Sequence, residues 1–320
     1  MQPSTIQDLI TLQWNDRHGS LDLTKRLRQM TRADPRGEGD LYMLKDIVLR
    51  DWDDLQKAVF DEVWDDRVKR YRDSRIYRGC SDSAWQFMPS LNRVCYHDLS
   101  LENHILRSFR KYGYAELADC QGTWKLLTVA QHHGIPTRLL DWTYSPLVAA
   151  HFATEDISMY DRDGAIFCLN VPDFKPYLPK TFREELEQAG GNVFSVGMLE
   201  RLAPKLQNLE QQSEKPFALF FEPSSMIDRI VNQYALFSVV SHSSVLLSEI
   251  IAQEEIKCIR YVIPKSIKLE IRDKLDYINI SERMIYPGLD GISRWITRRY
   301  SNLGPLYNRE HVGDAGNGSQ

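Results

Sequence analysis

The sequence is poor in the features that mark secreted, membrane-spanning or zinc-binding proteins. Its five cysteines are odd in number, scattered, and include no CxxC pair, which favours free thiols over disulfides or a zinc site. No window approaches the apolar length of a membrane span, and the start MQPSTIQDLI lacks the charged and apolar regions of a signal peptide. We therefore expect a cytoplasmic protein with no membrane partner and no metal site.

A strong excess of charge of one sign is also lacking. The formal net charge is −4, so no global basic field indicates nucleic-acid or membrane binding. Hydrophobic residues make up 42% and charged residues 26% of the 320 residues, as is usual for a globular protein. A chain of this length can bury a large core, in one large domain or two small ones.

What the sequence does contain is one dense stretch, residues 126–154, reading LLTVAQHHGIPTRLLDWTYSPLVAAHFAT. Apolar residues at helical spacing open and close it. Gly134 predicts the end of the first helix, and Pro136 disfavours helix before it. A short buried strand fits residues 137–142, and Ser145 is placed as the N-cap of the second helix. Polar and ionisable side chains crowd into the breaks, as in a binding or catalytic site.

The rest of the chain predicts an α+β fold. Strands alternate with helices of unequal length and without regular βαβ units. We expect a helical extension over residues 1–73, with one or two long helices over 41–72, then one domain over 74–301 and a disordered tail over 302–320. Residues 85–93 are predicted as a loop or edge segment. The core sheet is expected to be strongly bent, mixed or antiparallel, with strands near Ile76, Ile166, Leu219, Leu236 and Ile259.

Several polar residues in this pattern are candidates for chemistry. Arg78 closes a strand beside Gly79, where a planar guanidinium group can bind phosphate or carboxylate, although a surface or ion-paired arginine fits equally. Arg138 and Asp141 flank two apolar residues and could form an internal ion pair that fixes the loop. His132 could be structural or face a cleft, and no set of ligands at metal spacing accompanies it.

Two further candidates lie at strand ends. Thr143 and Ser145 follow the short strand, and capping is the simpler role for Ser145. Gln233 lies at the start of the apolar strand that follows it. A buried glutamine must find hydrogen-bond partners, so this position could be purely structural.

Taken together, these motifs resemble those of the FRG-domain family, which is named for its (F/Y)RG motif. The matching pieces are the YRG at Tyr77–Gly79, the PSL at residues 89–91, the run QHHGIPTRLLDWTYSPLVAAHFA and the later NQYALF. The long central run is the most specific of them. The resemblance covers residues 76–300 and implies a single domain built around the residues described above.

A more distant resemblance is to the ADP-ribosyltransferase superfamily, which cleaves NAD. It implies that Tyr77-Arg78-Gly79 is the first motif and that the strand and helix from Leu140 to Ala153 are the second. The third motif of that superfamily begins a strand with a catalytic Glu, and here Gln233 takes its place. A neutral amide keeps a hydrogen bond but supplies no charge to an oxocarbenium-like transition state.

The resemblance therefore implies NAD as substrate and an NAD-cleaving or ADP-ribosyltransferase-like enzyme. It also suggests a toxin or defence effector. Asp141 is the expected substitute for the missing carboxylate, with Arg78, Gln233 and His132 as the other catalytic candidates. The expected cofactor-binding residues are Arg78, Tyr77, Gly79, Thr143, Ser145 and Arg138. Two alternatives stay open. One is a non-catalytic module that senses a nucleotide or nucleic acid, and the other is a hydrolase that uses His132 and Asp141.

Overall fold

An eight-stranded mixed sheet forms the centre of the fold. The structure is a computed structural model, and it describes residues 44–61, 63–72, 74–85, 87–95, 98–223 and 231–301. The chain separates into two compact units, residues 1–41 with 84–86 and residues 42–83 with 87–320. All the elements named below belong to the second unit.

The strands fall into one large sheet and one short ribbon. They are β1 (Leu44–Val48), β2 (Trp64–Asp65), β3 (Arg70–Tyr71), β4 (Arg75–Cys80), β5 (Leu140–Thr143), β6 (Gly164–Asn170), β7 (Phe194–Ser195), β8 (Ala218–Glu222), β9 (Ala235–Val240) and β10 (Cys258–Ile263). The large sheet has the order β1-β10-β6-β4-β5-β9-β8-β7, and β2 pairs with β3 in the ribbon. Pairs β1–β10 and β7–β8 are parallel, and the other pairs are antiparallel.

Helices of very different lengths connect these strands. They are α1 (Trp52–Phe60), α2 (Ser90–Val94), α3 (Leu101–Tyr112), α4 (Thr123–His132), α5 (Pro146–Thr154), α6 (Lys180–Ala189), α7 (Val196–Leu202), α8 (Leu206–Glu210), α9 (Leu247–Gln253), α10 (Lys265–Tyr277), α11 (Glu282–Ile285) and α12 (Leu289–Tyr300). Two short 3-10 helices cover Ile157–Met159 and Val171–Tyr177.

The large sheet is joined at its centre by a very short ladder. Strand β4 pairs with β6 over six positions, and β5 pairs with β9 over four. Between β4 and β5 the register contains one pair, Tyr77 opposite Thr143. The two halves of the sheet are therefore free to diverge on either side of this pair, which leaves room for a side chain between them.

Apolar clusters cover both faces of the sheet. On one face, a cluster that includes Trp124 and Phe221 packs with helices α3, α4 and α6–α8. A second cluster on that face includes Tyr77 and Ala149 and packs with α1, α5 and α10. The opposite face carries a third cluster around Trp142, which α9 covers. Strands between two covered faces need apolar residues on both sides, and β6 (GAIFCLN) is buried at six of its seven positions.

Helix α5 lies unusually close to β4. A Cβ atom added to Gly79 would lie 1.9 Å from the Ala149 carbonyl oxygen, so only glycine fits there. Ala149, Ala150 and Ala153 present small side chains to the sheet and are completely buried. The YRG and SPLVAAHFA pieces of the sequence are thus two sides of one packing contact.

The α+β prediction is confirmed, and the sheet is mixed. All five predicted core strands are present, as β4, β6, β8, β9 and β10. The predicted local features of the dense stretch are also present. Gly134 has a φ of 77° just after α4, and Ser145 accepts a hydrogen bond from the backbone N–H of Val148 at the start of α5.

The predicted long helices over residues 41–72 are wrong. The described part of that range holds strand β1, the nine-residue helix α1 and the β2–β3 ribbon. Strand β1 pairs with β10, and Asp46 binds Arg260, with 2.9 Å between Oδ1 and Nε. This long-range pairing overrides the helical spacing of the apolar residues. The large sheet therefore begins before the predicted boundary at residue 74.

Residues 85–93 also differ from prediction in part. Pro89 precedes a short helix, α2, rather than lying in an extended edge segment. Proline is tolerated at a helix start because the first N–H groups have no partner within the helix. Residues 1–43 of the predicted extension (1–73) and the predicted tail over 302–320 lie outside the described residues.

Candidate functional site

Arg78 occupies the place where β4 and β5 separate. If their ladder continued past Tyr77 and Thr143, Gly79 would face Asp141. Instead, the Arg78 side chain donates from Nη1 to the Asp141 carbonyl oxygen at 2.7 Å. Its Nε is buried and has no hydrogen-bond partner among the described residues. A buried donor of this kind needs a water or ligand acceptor.

The Asp141 carboxylate lies beside Arg78 and is held from the other side. Its Oδ2 is 4.0 Å from Arg78 Nη1 and accepts a hydrogen bond of 2.8 Å from Gln131 Nε2. Gln131 Oε1 in turn accepts from Thr137 Oγ1 at 2.5 Å. The Asp141 side chain is 58% exposed and that of Arg78 is 19% exposed. A shielded cation with an accessible, positioned carboxylate can bind a polar anionic ligand.

The side chains of Cys80 and Arg93 also interact electrostatically with Arg78. Burial raises the pKa of the Cys80 thiol, and the charge of Arg78, a hydrogen bond from the Arg78 side chain and the charge of Arg93 offset part of that rise. The pKa of Arg93 is lowered, first by loss of hydration and then by the like charge of Arg78, while Asp141 acts in the opposite direction. We call Arg78, Arg93, Gln131, Asp141 and Cys80 together the Arg78–Asp141 site.

Thr143 joins three elements and is itself buried. Its hydroxyl donates to the Gln233 carbonyl oxygen at 2.7 Å and accepts from the Ser145 backbone N–H at 3.0 Å. Ser145 then caps α5. Both residues therefore have defined structural tasks at the junction of β5, β9 and α5. Their assignment as cofactor-binding residues stays a prediction.

Gln233 and its neighbour point towards helix α11. Gln233 Nε2 donates to the Ile285 carbonyl oxygen at 3.3 Å, and Asn232 Nδ2 donates to the Met284 carbonyl oxygen at 2.9 Å. These two amides satisfy carbonyl groups at the end of a short helix. The Gln233 main chain, through Thr143, contacts the strand that carries Asp141.

Arg138 is paired with a different acid from the one expected. Its Nε binds Glu102 Oε2 at 2.6 Å, and its Nη1 lies 3.3 Å from Glu210 Oε1. Glu102 is 1% exposed and Arg138 8% exposed. The internal ion pair exists, but with Glu102 of α3 rather than with Asp141. Because the guanidinium group is committed to these carboxylates, Arg138 gains no support as a cofactor ligand.

The other predicted residues are placed as follows. Tyr77 is buried against α5, on the face opposite Arg78. Gly79 is required by the close approach of α5. His132 is the last residue of α4, and its ring lies edge-on to that of His133 at 5.1 Å between centroids. Asp141 receives its hydrogen bond from Gln131, the residue before His132, so the pairing assumed by the hydrolase alternative stays a prediction.

A buried polar network lies on the far side of α5. His151 is fully buried, with Nδ1 2.6 Å from Arg272 Nη1 and Nε2 3.2 Å from Glu155 Oε2. Since arginine only donates, Nδ1 accepts and the proton is on Nε2. The Tyr286 hydroxyl also donates to Glu155, at 2.8 Å. Burial lowers the pKa of His151 and outweighs the hydrogen bond to Glu155.

The structure thus brings Arg78 and Asp141 into one site, and it ties Thr143 to Gln233 at the next strand. Sequence reasoning missed Gln131 and Arg93. Gln131 opens the QHHG motif, and a polar residue at that fixed place was the available signal. Arg93 lies in the segment that was predicted as a loop, and nothing local distinguished it.

Across the described ranges, no group of three His, Cys, Asp or Glu side chains is arranged to hold a metal ion. No helix in those ranges combines the length and apolar character needed to cross a membrane.

The fold and site define an α+β domain with its candidate site at the centre of a mixed sheet. Residues 73–162 match the FRG domain. The chain therefore carries an FRG domain, and the predicted family is confirmed. This range contains β4, β5 and the helices α2 to α5, and with them every member of the Arg78–Asp141 site. No curated protein and no solved structure matches the chain significantly.

Proposed function

We propose that this FRG domain binds NAD at the Arg78–Asp141 site and cleaves its nicotinamide–ribose bond. The observation that carries the proposal is the placement of Arg78 between the two halves of the sheet. One N–H holds the Asp141 carbonyl, and the buried Nε has no hydrogen-bond partner among the described residues. A planar, partly shielded cation suits the phosphate or ribose groups of a dinucleotide.

The proposed reaction requires a negative charge near ribose C1′, and a carboxylate supplies it. The bond between ribose C1′ and the nicotinamide nitrogen breaks, and both electrons leave with nicotinamide, which becomes neutral. C1′ then carries positive charge until water or an acceptor nucleophile adds and loses a proton. A fixed negative charge nearby stabilises this transition state.

Asp141 fits this role better than Gln233. Its carboxylate is held by Gln131, lies beside Arg78 and is accessible from outside. The Gln233 amide is neutral and donates to the Ile285 carbonyl. We therefore assign the charge to Asp141 and a structural task to Gln233. Any acceptor other than water adds to the same position of the ribose.

Nicotinamide release from NAD tests this assignment. Arg78→Ala should abolish NAD binding, because the cation for the phosphate or ribose is lost. Asp141→Asn should leave NAD binding within a few-fold and lower release about a hundredfold to a thousandfold. Asp119→Asn, which removes an exposed carboxylate between α3 and α4, is the control and should behave as wild type. Full activity of Asp141→Asn would contradict the assignment.

Gln233→Glu separates the two carboxylate assignments. The change removes the N–H that binds the Ile285 carbonyl and places a negative charge beside that oxygen. We expect lower stability and lower nicotinamide release. An increase in release would mean that position 233 faces the ribose during turnover and that Asp141 does not carry the charge.

A second function, nucleotide binding without turnover, is favoured by one observation. The Asp141 side chain is 58% exposed, and water weakens the effect of an exposed charge on a transition state. In that case the same site senses a nucleotide. NAD binding that depends on Arg78, with no nicotinamide release from wild type, would select this function.

A further inference from the structure

The segment from Phe87 through helix α2 lies over the sheet and brings Arg93 to the Arg78–Asp141 site. Phe87 packs on Phe167 and on Trp142, with ring centroids 4.7 and 5.6 Å apart. Phe167 is the register partner of Arg78 in β6, and Trp142 lies on the other side, in β5. Helix α2 follows directly after Phe87, so it borders the place that Arg78 occupies.

Helix α2 is held by two long-range hydrogen bonds. The Leu91 backbone N–H donates to the Thr137 carbonyl at 3.0 Å, and Asn92 Nδ2 donates to the Ser243 carbonyl at 2.9 Å. Arg93 donates from Nη1 to the Met88 carbonyl at 2.7 Å. That bond uses one of the five N–H groups of its guanidinium. Arg93 is therefore held in position before a ligand binds, and this bond leaves most of its N–H groups unused.

The charges of Arg78, Arg93 and Asp141 do not sum to zero. Arg78 and Arg93 are close enough for each to feel the other's charge, and the carboxylate that acts on both is Asp141. Two positive charges and one negative charge leave an excess of one positive charge. Holding like charges together costs free energy that a bound anion recovers. The unpartnered Nε of Arg78 is a second indication of a missing acceptor.

We propose that Arg78 and Arg93 form a two-arginine site for the diphosphate group of a nucleotide. This inference rests on the proposed function for the remainder of the ligand and adds a preference for two linked phosphates over one. Arginine forks bind phosphate oxygens in pairs. A single phosphate or carboxylate is satisfied by Arg78 alone, whereas forks from two elements, β4 and α2, match two neighbouring phosphates.

Calorimetric titration with ADP and AMP tests this preference. Wild type should bind ADP about tenfold or more tightly than AMP, as expected for an added pair of charge-assisted hydrogen bonds. Arg93→Gln keeps a donor for Met88 but loses the charge, and it should remove the preference. Arg93→Lys keeps the charge without the fork and should retain part of it. Arg107→Gln, at an exposed arginine of α3, should leave the preference unchanged.

Three results would overturn the inference. They are equal affinity of wild type for ADP and AMP, no measurable binding of either, and an intact preference in folded Arg93→Gln. The proposed function fails separately. An ADP preference that depends on Arg93, without nicotinamide release from NAD, leaves the diphosphate site standing. Nicotinamide release without any ADP preference removes the diphosphate site alone.

Discussion

At the scale of residues, the YRG and DWT motifs each combine a residue of the candidate site with a residue that has a packing or linking role. In the YRG piece, Arg78 faces the gap between strands and is available for chemistry. Gly79, its neighbour, lets the α5 backbone approach β4. In the DWT piece, Asp141 has an accessible carboxylate, while Thr143 is a buried link between β9 and α5. Arg78 and Gly79 are adjacent in β4 and therefore point to opposite faces. Asp141 and Thr143 share one face of β5 and differ in exposure, so a short motif can supply both purposes.

Gly79→Ala tests the packing purpose. The added Cβ would lie 1.9 Å from the Ala149 carbonyl oxygen and 2.8 Å from the Ala153 backbone nitrogen, so α5 must move. We expect the free energy of unfolding to fall by about 3 kcal/mol, the upper part of the range for overpacking. Urea unfolding measures it.

Gly191→Ala is the matched control for that substitution. A Cβ at Gly191 meets its nearest atom, the Val193 carbonyl oxygen, at 3.7 Å, which is an ordinary contact. Its effect should stay within about 0.5 kcal/mol. Equal effects of the two substitutions would show that α5 is not held against β4 as described.

At the scale of elements, a buried ion pair fixes the approach to β5. Arg138 lies just before the strand, and Glu102 comes from the first turn of α3. Glu102 Oε1 also accepts from the Arg138 backbone N–H at 3.0 Å. Side chain and main chain of one residue are thus bound to one carboxylate. This contact holds the segment that ends at Asp141.

Arg138→Met should lower the free energy of unfolding by about 3–5 kcal/mol, because Glu102 would keep a buried charge without its partner. Adding Glu102→Gln should recover part of that loss. Arg201→Met is the control, since Arg201 pairs with Glu185 while 65% exposed, and it should cost less than about 1 kcal/mol. Urea unfolding of wild type and these three variants measures the effects. A loss for Arg138→Met no larger than for Arg201→Met would contradict the assigned role.

At the scale of the whole molecule, the buried network around His151 ties the C-terminal helices to the sheet. Arg272 of α10 binds His151 of α5, and Arg298 of α12 binds Glu282 of α11 at 2.6 Å. Asp276 connects the two arginines, at 3.6 Å from Arg272 and 2.6 Å from Arg298. The fold is thus held by charged contacts as well as by its apolar clusters.

Stability should depend on pH through His151. Its pKa in the folded protein is lowered by burial, so the unfolded chain takes up the proton first as the pH falls. The free energy of unfolding should therefore decline below about pH 6.5, the usual pKa of histidine, and level off above it. Urea midpoints between pH 5 and 8 measure the slope.

His151→Gln should flatten that slope, whatever it costs at pH 8. The same substitution at His104, an exposed residue of α3, is the control and should leave the slope in place. An unchanged slope in His151→Gln would show that other groups set the pH dependence.

The sequence alone determined the features that depend on neighbouring residues. The end of α4 at Gly134, the N-cap of α5 at Ser145 and the five core strands follow from local conformational preferences and apolar periodicity. The FRG motifs also placed Arg78 and Asp141 among the candidates. Strand β1 was missed because its pairing with β10 spans more than 200 positions and leaves no local signal.

Only the tertiary structure decided which side chains meet. It paired Arg138 with Glu102 instead of Asp141, gave Asp141 to Gln131, and turned the Gln233 amide towards Ile285. Each of these choices depends on which elements pack side by side. A side chain's spacing in the sequence limits its direction but not its partner, because the partner comes from another element that the packing of apolar faces brings near.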